Sequence, residues 1–262
     1  MTNLTEAKRI VIKVGTSSLT HPNGKLDLRH MENLCKVISD LQNSGKEIIL
    51  VTSGAIGVGM GKIGLKKRPD ETSKKQALAA IGQCELMFMY DKLFGEYNHT
   101  VAQVLLTADV IDSDKGKINV QNTFDELMDM GIIPIVNEND TMATDELEGK
   151  NFGDNDTLSA IVATLVDADH LVILTDIDGL YDSDPKKNPQ AKRIALVTSI
   201  DENIYALAGG AGSNLGTGGM ATKIKAAEIS TKVGIPCAII NGSNPANLYH
   251  IFEGKDIGTI FK

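Results

Sequence analysis

The strongest constraint on the fold is an alternation. Short apolar, β-branched runs at residues 8–14, 47–51, 101–106, 132–136, 170–174 and 235–240 alternate with longer stretches of helical apolar spacing at 28–41, 76–94, 118–130, 157–166 and 219–232. Within 28–41, for instance, Leu28, Met31, Leu34, Val37, Ile38 and Leu41 recur on one helical face, and Gly45 follows as a stop. Strands separated by helices predict an α/β fold, a three-layer αβα sandwich with a central, mostly parallel sheet. A last short strand is expected at 258–261. At 262 residues such a chain hides about three quarters of its unfolded surface, so a large core is available.

The segments just past the strands are equally patterned. Gly15-Thr16-Ser17 comes after the first run, Thr52-Ser53-Gly54, opening a glycine-hydroxyl turn that continues to Gly59, after the second, Asn137 to Asp140 after the fourth and Thr175-Asp176 after the fifth. Ligands of parallel sheets sit at the carboxyl ends of the strands, so polar clusters repeated there mark a site better than any one motif. Lys13 lies inside the first apolar run. A lysine there is costly unless its ammonium meets a partner or ligand; the alternative is an edge strand from which it reaches water.

One further stretch, Ser213 to Lys223, combines glycines, hydroxyls and a lysine, the ingredients for holding phosphate. It is not a Walker A loop, because its lysine follows Thr222 rather than a glycine. Gly216, Gly218 and Ala221 fit a dinucleotide pattern, but no strand precedes them. A surface loop ending in a helix cap is the simpler alternative. Asp154 and Asp156, before the 157–166 helix, are each able to cap it.

Net charge of −8 argues against a nucleic-acid partner, and no apolar run is long enough to span a membrane. The polar start lacks a secretory signal, which predicts a cytoplasmic protein. Cys35, Cys84 and Cys237 are odd in number and far apart, so buried free thiols are expected, and the scattered histidines suggest no metal site. Met87, Phe88 and Met89 read as core filler, and Lys66 to Arg68 with Lys74 and Lys75 as a solvated face. The acidic stretch 141–151 reads as a loop and a candidate lid.

Taken together, the motifs resemble the glutamate 5-kinase family of the amino acid kinase superfamily. The pieces are Ile12-Lys13-Val14-Gly15-Thr16-Ser17, Val51-Thr52-Ser53-Gly54-Ala55-Ile56, Val136 to Asp140, Gly153-Asp154-Asn155-Asp156, Leu174-Thr175-Asp176 and Gly216 to Lys223. They occur in the family's order across nearly the whole chain. Aspartokinase-like and N-acetylglutamate-kinase-like sequences usually carry a double glycine after the first lysine, whereas Thr16 follows Gly15 here.

The resemblance implies one amino acid kinase domain over 1–262, with a glutamate-binding part over about 1–165 and an ATP-binding part over about 166–262. It implies transfer of phosphate from MgATP to the γ-carboxylate of L-glutamate, the first step of proline synthesis. Lys13, Lys223 and Asp156 would be catalytic. Ser53, Gly54, Asn137, Asp140, Asp154 and Asn155 would bind glutamate. Lys13, Gly15, Thr175, Asp176, Thr217, Gly218, Gly219, Met220, Ala221, Thr222 and Lys223 would bind ATP. Magnesium is expected on ATP oxygens and waters without a protein ligand. Proline as an inhibitor, a homodimer or homotetramer and transient contact with a downstream reductase are also implied.

Two departures stand out: Asn214 replaces a common glycine, and the 141–151 loop is longer than usual. The chain stops at Lys262, before the PUA domain that many relatives carry, so a form without it is expected. Other acid kinases of the superfamily, acting on aspartate, carbamate or N-acetylglutamate, are the nearest alternatives; a non-catalytic nucleotide-binding protein is a further one.

Overall fold

The computed structural model describes residues 4–142, 154–208 and 219–262. The Thr217-Gly218 part of the glycine stretch and most of the acidic loop lie outside them. Strand β1 (Arg9–Val14) pairs in parallel with β2 (Glu47–Val51) on one side and β5 (His170–Thr175) on the other. Beyond β2 come β4 (Ile133–Glu138) and then β3 (Val101–Leu106), both parallel. Beyond β5 come β7 (Cys237–Asn241), β8 (Thr259–Phe261) and β6 (Leu196–Val197), completing an eight-stranded sheet among the described residues. Among the described strand pairs only β7–β8 is antiparallel, so the expected mostly parallel sheet is what forms.

Because β1 is paired on both edges, the edge-strand reading of Lys13 is excluded. Its alternation sends Ile10, Ile12 and Val14 to one face, against α2 (Leu28–Asn43) and α4 (Thr72–Gly95). Val11 faces the other way, where α6 (Asp114–Asp129), α7 (Asn155–Leu165) and α9 (Met220–Lys232) close a second core. Strand parity therefore turns Lys13 toward the α7 and α9 side.

Several helices run beyond their apolar spacing. Helix α4 starts at Thr72 rather than 76, and α6 at Asp114 rather than 118, because their first turns are polar and solvated. For α6, Ser113 supplies the cap, accepting from Gly116 N at 2.9 Å. The glycine-rich segment after β2 is a helix, α3 (Ala55–Ile63), rather than a turn. Its glycines serve helix contact: a Cβ on Gly59 would stand 2.0 Å from Leu78 O, and one on Gly82 1.7 Å from Ala55 O. The helices α3 and α4 touch backbone to backbone.

Short helices α1 (Thr16–Leu19), α5 (Ala108–Asp112), α8 (Glu202–Leu207) and α10 (Asn247–Phe252) carry too few turns to show a period in sequence. Two side-chain expectations are corrected. Phe88 is 62% exposed on the outer face of α4 rather than in the core, because α3 and the sheet occupy only the opposite faces of that helix. Cys84, one turn earlier, is exposed for the same reason, whereas Cys35 and Cys237 are buried; all three are free thiols.

Candidate active site

Connections from β1 and β5 diverge to opposite halves of the sheet, which opens a crevice beyond their carboxyl ends. Helices α1, α3, α7 and α9 start there, at Gly15, Gly54, Asp154 and Gly219. The longer ones, α3, α7 and α9, point positive dipole ends and unpaired N–H groups at that crevice. Gly54 has φ of +91°, and a Cβ there would lie 2.8 Å from Thr16 Cγ2, so the turn from β2 into α3 needs glycine.

At the centre Asp156, from the first turn of α7, bridges two lysines. Lys13 Nζ lies 2.6 Å from Asp156 Oδ1 and Lys223 Nζ 3.0 Å from Oδ2. All three are buried. Thr222 Oγ1 lies 2.8 Å from Asp156 Oδ2 and equally from Gly219 O, so its single proton is shared between them.

Burial is the largest influence on Lys13 and lowers its pKa from the ordinary lysine value; Asp156 opposes this and Lys223 adds to it. Burial alone would raise the Asp156 carboxyl, but Lys13 and Lys223, with Thr222, hold it below the usual carboxylate range. The trio sets two positive charges against one negative in a place with little water, an arrangement suited to an incoming anion.

A second cluster adjoins it on the β2 and β4 side. Asn155 Nδ2 donates to Thr52 O and to Asn137 Oδ1, each at 2.9 Å, and Ser53 Oγ donates to Val14 O at 2.8 Å. Asp154 caps α7, accepting from Thr157 N at 2.8 Å. The capping reading therefore belongs to Asp154, whereas Asp156 is the lysine bridge. Asp140 lies in the turn after β4 and is half-buried.

Thr175 ends β5 with its hydroxyl 3.3 Å from Asp176 Oδ1, and Asp176 is exposed. Gly219, Met220 and Ala221 open α9. Thus Lys13, Lys223, Asp156 and Thr222 form one bonded group, and Asn137 and Asn155 a second. Gly15 lies beside the first, since a Cβ on it would stand 3.7 Å from Lys13 Nζ. Thr175 and Asp176 stand at the neighbouring strand end.

Sequence reasoning gave no individual role to Thr52, Gln83 or Tyr90. Thr52 Oγ1 lies 2.8 Å from Tyr90 OH, and Asn137 Nδ2 donates to Gln83 Oε1 at 2.9 Å. The available signal was a glutamine and a tyrosine seven residues apart, hence on one face, within an apolar helix. No group of three or more His, Cys, Asp or Glu able to hold a metal occurs among the described residues, and none of their helices is long and apolar enough to cross a membrane.

Comparison with known proteins agrees with the motifs. The amino acid kinase family pattern matches residues 8–241. A glutamate 5-kinase of Clostridium perfringens is 58% identical over 259 residues, covering 98% of this chain and 96% of that protein. Those of Enterococcus faecalis, at 52% with 98% and 96% covered, and Ligilactobacillus salivarius, at 50% with 99% and 97%, are also similar.

Among solved structures, a uridylate (UMP) kinase from Ureaplasma parvum superposes with a TM-score of 0.67 at 17% identity, over 98% of this chain and 99% of that one. An isopentenyl phosphate kinase from T. acidophilum gives 0.65 at 18%, over 97% and 100%. At such identities these two establish the fold alone. The chain belongs to the amino acid kinase family and, within it, to the glutamate 5-kinases.

Proposed function

We propose that this protein transfers the γ-phosphoryl group of ATP to the γ-carboxylate of L-glutamate, forming L-glutamyl 5-phosphate and ADP in the first step of proline synthesis. The observation that carries the chemistry is the buried Lys13–Asp156–Lys223 trio at the crevice between β1 and β5. A carboxylate is already a nucleophile, so no general base is required; the obstacle is bringing two anions together. An attacking oxygen of glutamate forms the new P–O bond while the bond to ADP breaks, and the negative charge leaves on ADP. Lys13 and Lys223 offset charge on the transferring group, and Asp156 fixes the spacing of their ammonium groups. Backbone N–H groups at Gly15 and Gly54 add to them.

On this reading Ser53, Gly54, Asn137, Asp140, Asp154 and Asn155 form the glutamate side. Asp140 pairs with the α-ammonium, which disfavours N-acylated glutamate. Asp154 contributes through the cap that orients Asn155 and Asp156. Thr175, Asp176 and the start of α9 form the nucleotide side, with Thr217 and Gly218 assigned by motif alone. This divides one domain, 1–262, into a glutamate part to about 165 and an ATP part beyond it. Magnesium would ride on the phosphates and neutralise their charge. The donor set fits that: the most buried carboxylate among the described residues, Asp156, already bridges two lysines, which leaves it a poor metal ligand.

A cytoplasmic setting, a homodimer or homotetramer, proline as an inhibitor at the glutamate side and hand-over of the labile product to a reductase belong to the same reading. The outer face of α4, with exposed Phe88 beside Cys84, gives self-association a candidate surface. The test of function is ATP-dependent trapping with hydroxylamine across glutamate, aspartate, N-acetylglutamate and carbamate. The γ-hydroxamate should form with glutamate; a stronger response to another acid would overturn the substrate. Activity unaffected by millimolar proline would remove the inhibitor from the reading.

A further inference from the structure

The buried face of α4 does more than fill the core. Gln83 and Tyr90, two turns apart, are both buried and both reach strand-end residues beneath the crevice. Tyr90 OH lies 2.8 Å from Thr52 Oγ1, and Gln83 Oε1 accepts from Asn137 Nδ2 at 2.9 Å. Thr52 and Asn137 are the two residues that receive the Asn155 amide, Thr52 through its carbonyl and Asn137 through Oδ1. So α4 grips both anchors of one site residue.

Backbone groups fix the direction of this chain, so it does not depend on how amide nitrogens and oxygens are assigned. Glu138 N donates to Asn137 Oδ1 at 3.0 Å, which makes that oxygen the acceptor and turns Nδ2 toward Gln83. Gln83 must then present Oε1. At the other end, Thr52 O can only accept, so the Asn155 nitrogen faces inward. Its two hydrogens go to Thr52 and Asn137, and Oδ1 is the atom Asn155 can offer a ligand. Glutamate has one donor at neutral pH, its α-ammonium.

We propose that Gln83 is a positioning residue for the glutamate subsite: it orients Asn137, which orients Asn155 so that a carbonyl oxygen is presented to the substrate ammonium. Gln83 itself does not touch substrate. Its Nε2 is buried and meets no acceptor among the described residues, an arrangement a core selected only for stability would avoid. The close α3–α4 contact at Gly59 and Gly82 holds the position, since Gly82 directly precedes Gln83.

This inference rests on the glutamate kinase reading, and the experiment separates the two. KM for glutamate, KM for ATP and kcat are measured for wild type, Gln83→Met and Gln83→Glu. Met matches the shape of glutamine without its carbonyl, whereas Glu retains an acceptor for Asn137. For Gln83→Met the glutamate KM should rise about tenfold to a hundredfold, with ATP KM changed by less than about threefold. Gln83→Glu should return the glutamate KM to within about fivefold of wild type.

Equal losses for both substrates, an unchanged glutamate KM or absence of rescue by Glu would overturn the positioning role. Wild-type protein that forms no glutamyl hydroxamate would instead overturn the functional reading. Should Gln83→Met fail to fold, Gln83→Leu removes the same carbonyl with a more compact side chain. It should raise the glutamate KM at least about tenfold with the ATP KM unmoved, and no selective rise would refute the proposal.

Discussion

The Lys13 ammonium meets the Asp156 carboxylate at 2.6 Å, joining the sheet's central strand to the first turn of α7. Lys223 holds the other oxygen of the same carboxylate from α9. Three elements distant in sequence are thereby tied at the crevice. On the proposed reading, replacing either lysine by alanine removes one of the two positive charges that would stabilise the transferring phosphoryl group. We expect kcat to fall about a hundredfold or more, roughly 3 to 4 kcal/mol of transition-state stabilisation, in Lys13→Ala and in Lys223→Ala. ATP binding, followed by calorimetry, should survive in both. Unchanged turnover in either variant would remove that lysine from the chemistry.

Asp156→Asn should act differently. The bridge keeps its shape but loses its charge, leaving two buried ammonium groups facing one another without compensation. Both activity and stability should drop, stability by about 3 kcal/mol or more in a denaturant titration. An Asn variant as stable as wild type would mean that solvent, rather than Asp156, balances the lysines.

How much of this was legible in sequence depended on range. β-branched runs placed seven of the eight described strands within two residues, while two-residue β6 is too short to show a pattern, and polar clusters after the strands located the crevice, because parallel sheets expose strand ends to ligands. Lys13 was visible as a charge inside an apolar run. That its parity turns it toward α7 and α9 emerged only once β1 was seen to be paired on both sides. Helix α3 was hidden because its glycines signal a turn locally, yet they exist for contact with α4. The roles of Gln83 and Tyr90 were hidden because a polar residue in an apolar helix does not disclose its partner.

The α3–α4 contact makes a sharp stability prediction. A Cβ on Gly82 would stand 1.7 Å from the carbonyl oxygen of Ala55, a clash with backbone rather than with a flexible side-chain end. Gly82→Ala should therefore cost about 3 kcal/mol or more despite alanine's better helix propensity. By contrast, Gly95→Ala, near the end of the same helix with open space around it, should change stability by less than about 1 kcal/mol. Similar urea midpoints for the two variants would show that α3 can move away.

A different probe is pH. His170 is buried in β5, where desolvation outweighs the nearby Asp169 carboxylate and lowers its pKa from the ordinary 6.5. Half-buried His30 shifts the same way, also through desolvation. Below 6.5 the unfolded chain takes up protons that the folded chain resists. Stability is therefore full above that pH and declines as pH falls toward the lowered folded value, by at most about 1.4 kcal/mol per pH unit for each histidine. His170→Leu should flatten the slope of unfolding free energy between about pH 7 and 5.5 by up to one proton. An unaltered slope would show that His170 titrates normally.

The junction of Gly54 with Thr16 offers a test in which two causes separate. Gly54→Ala suffers twice: φ of +91° strains any L side chain, and its Cβ would lie 2.8 Å from Thr16 Cγ2. Each effect is of order 1 to 3 kcal/mol, and both act on the turn that presents the start of α3 to the crevice. We expect Gly54→Ala to lose most activity as well as stability. Adding Thr16→Ser removes the obstructing methyl group and leaves the backbone strain. The double variant should recover part of the stability, about 1 kcal/mol, but little of the activity if the N–H groups at the head of α3 must keep their direction. Full recovery of both would assign the defect to the methyl contact alone, whereas no recovery of stability would assign it to the left-handed backbone that only glycine adopts easily.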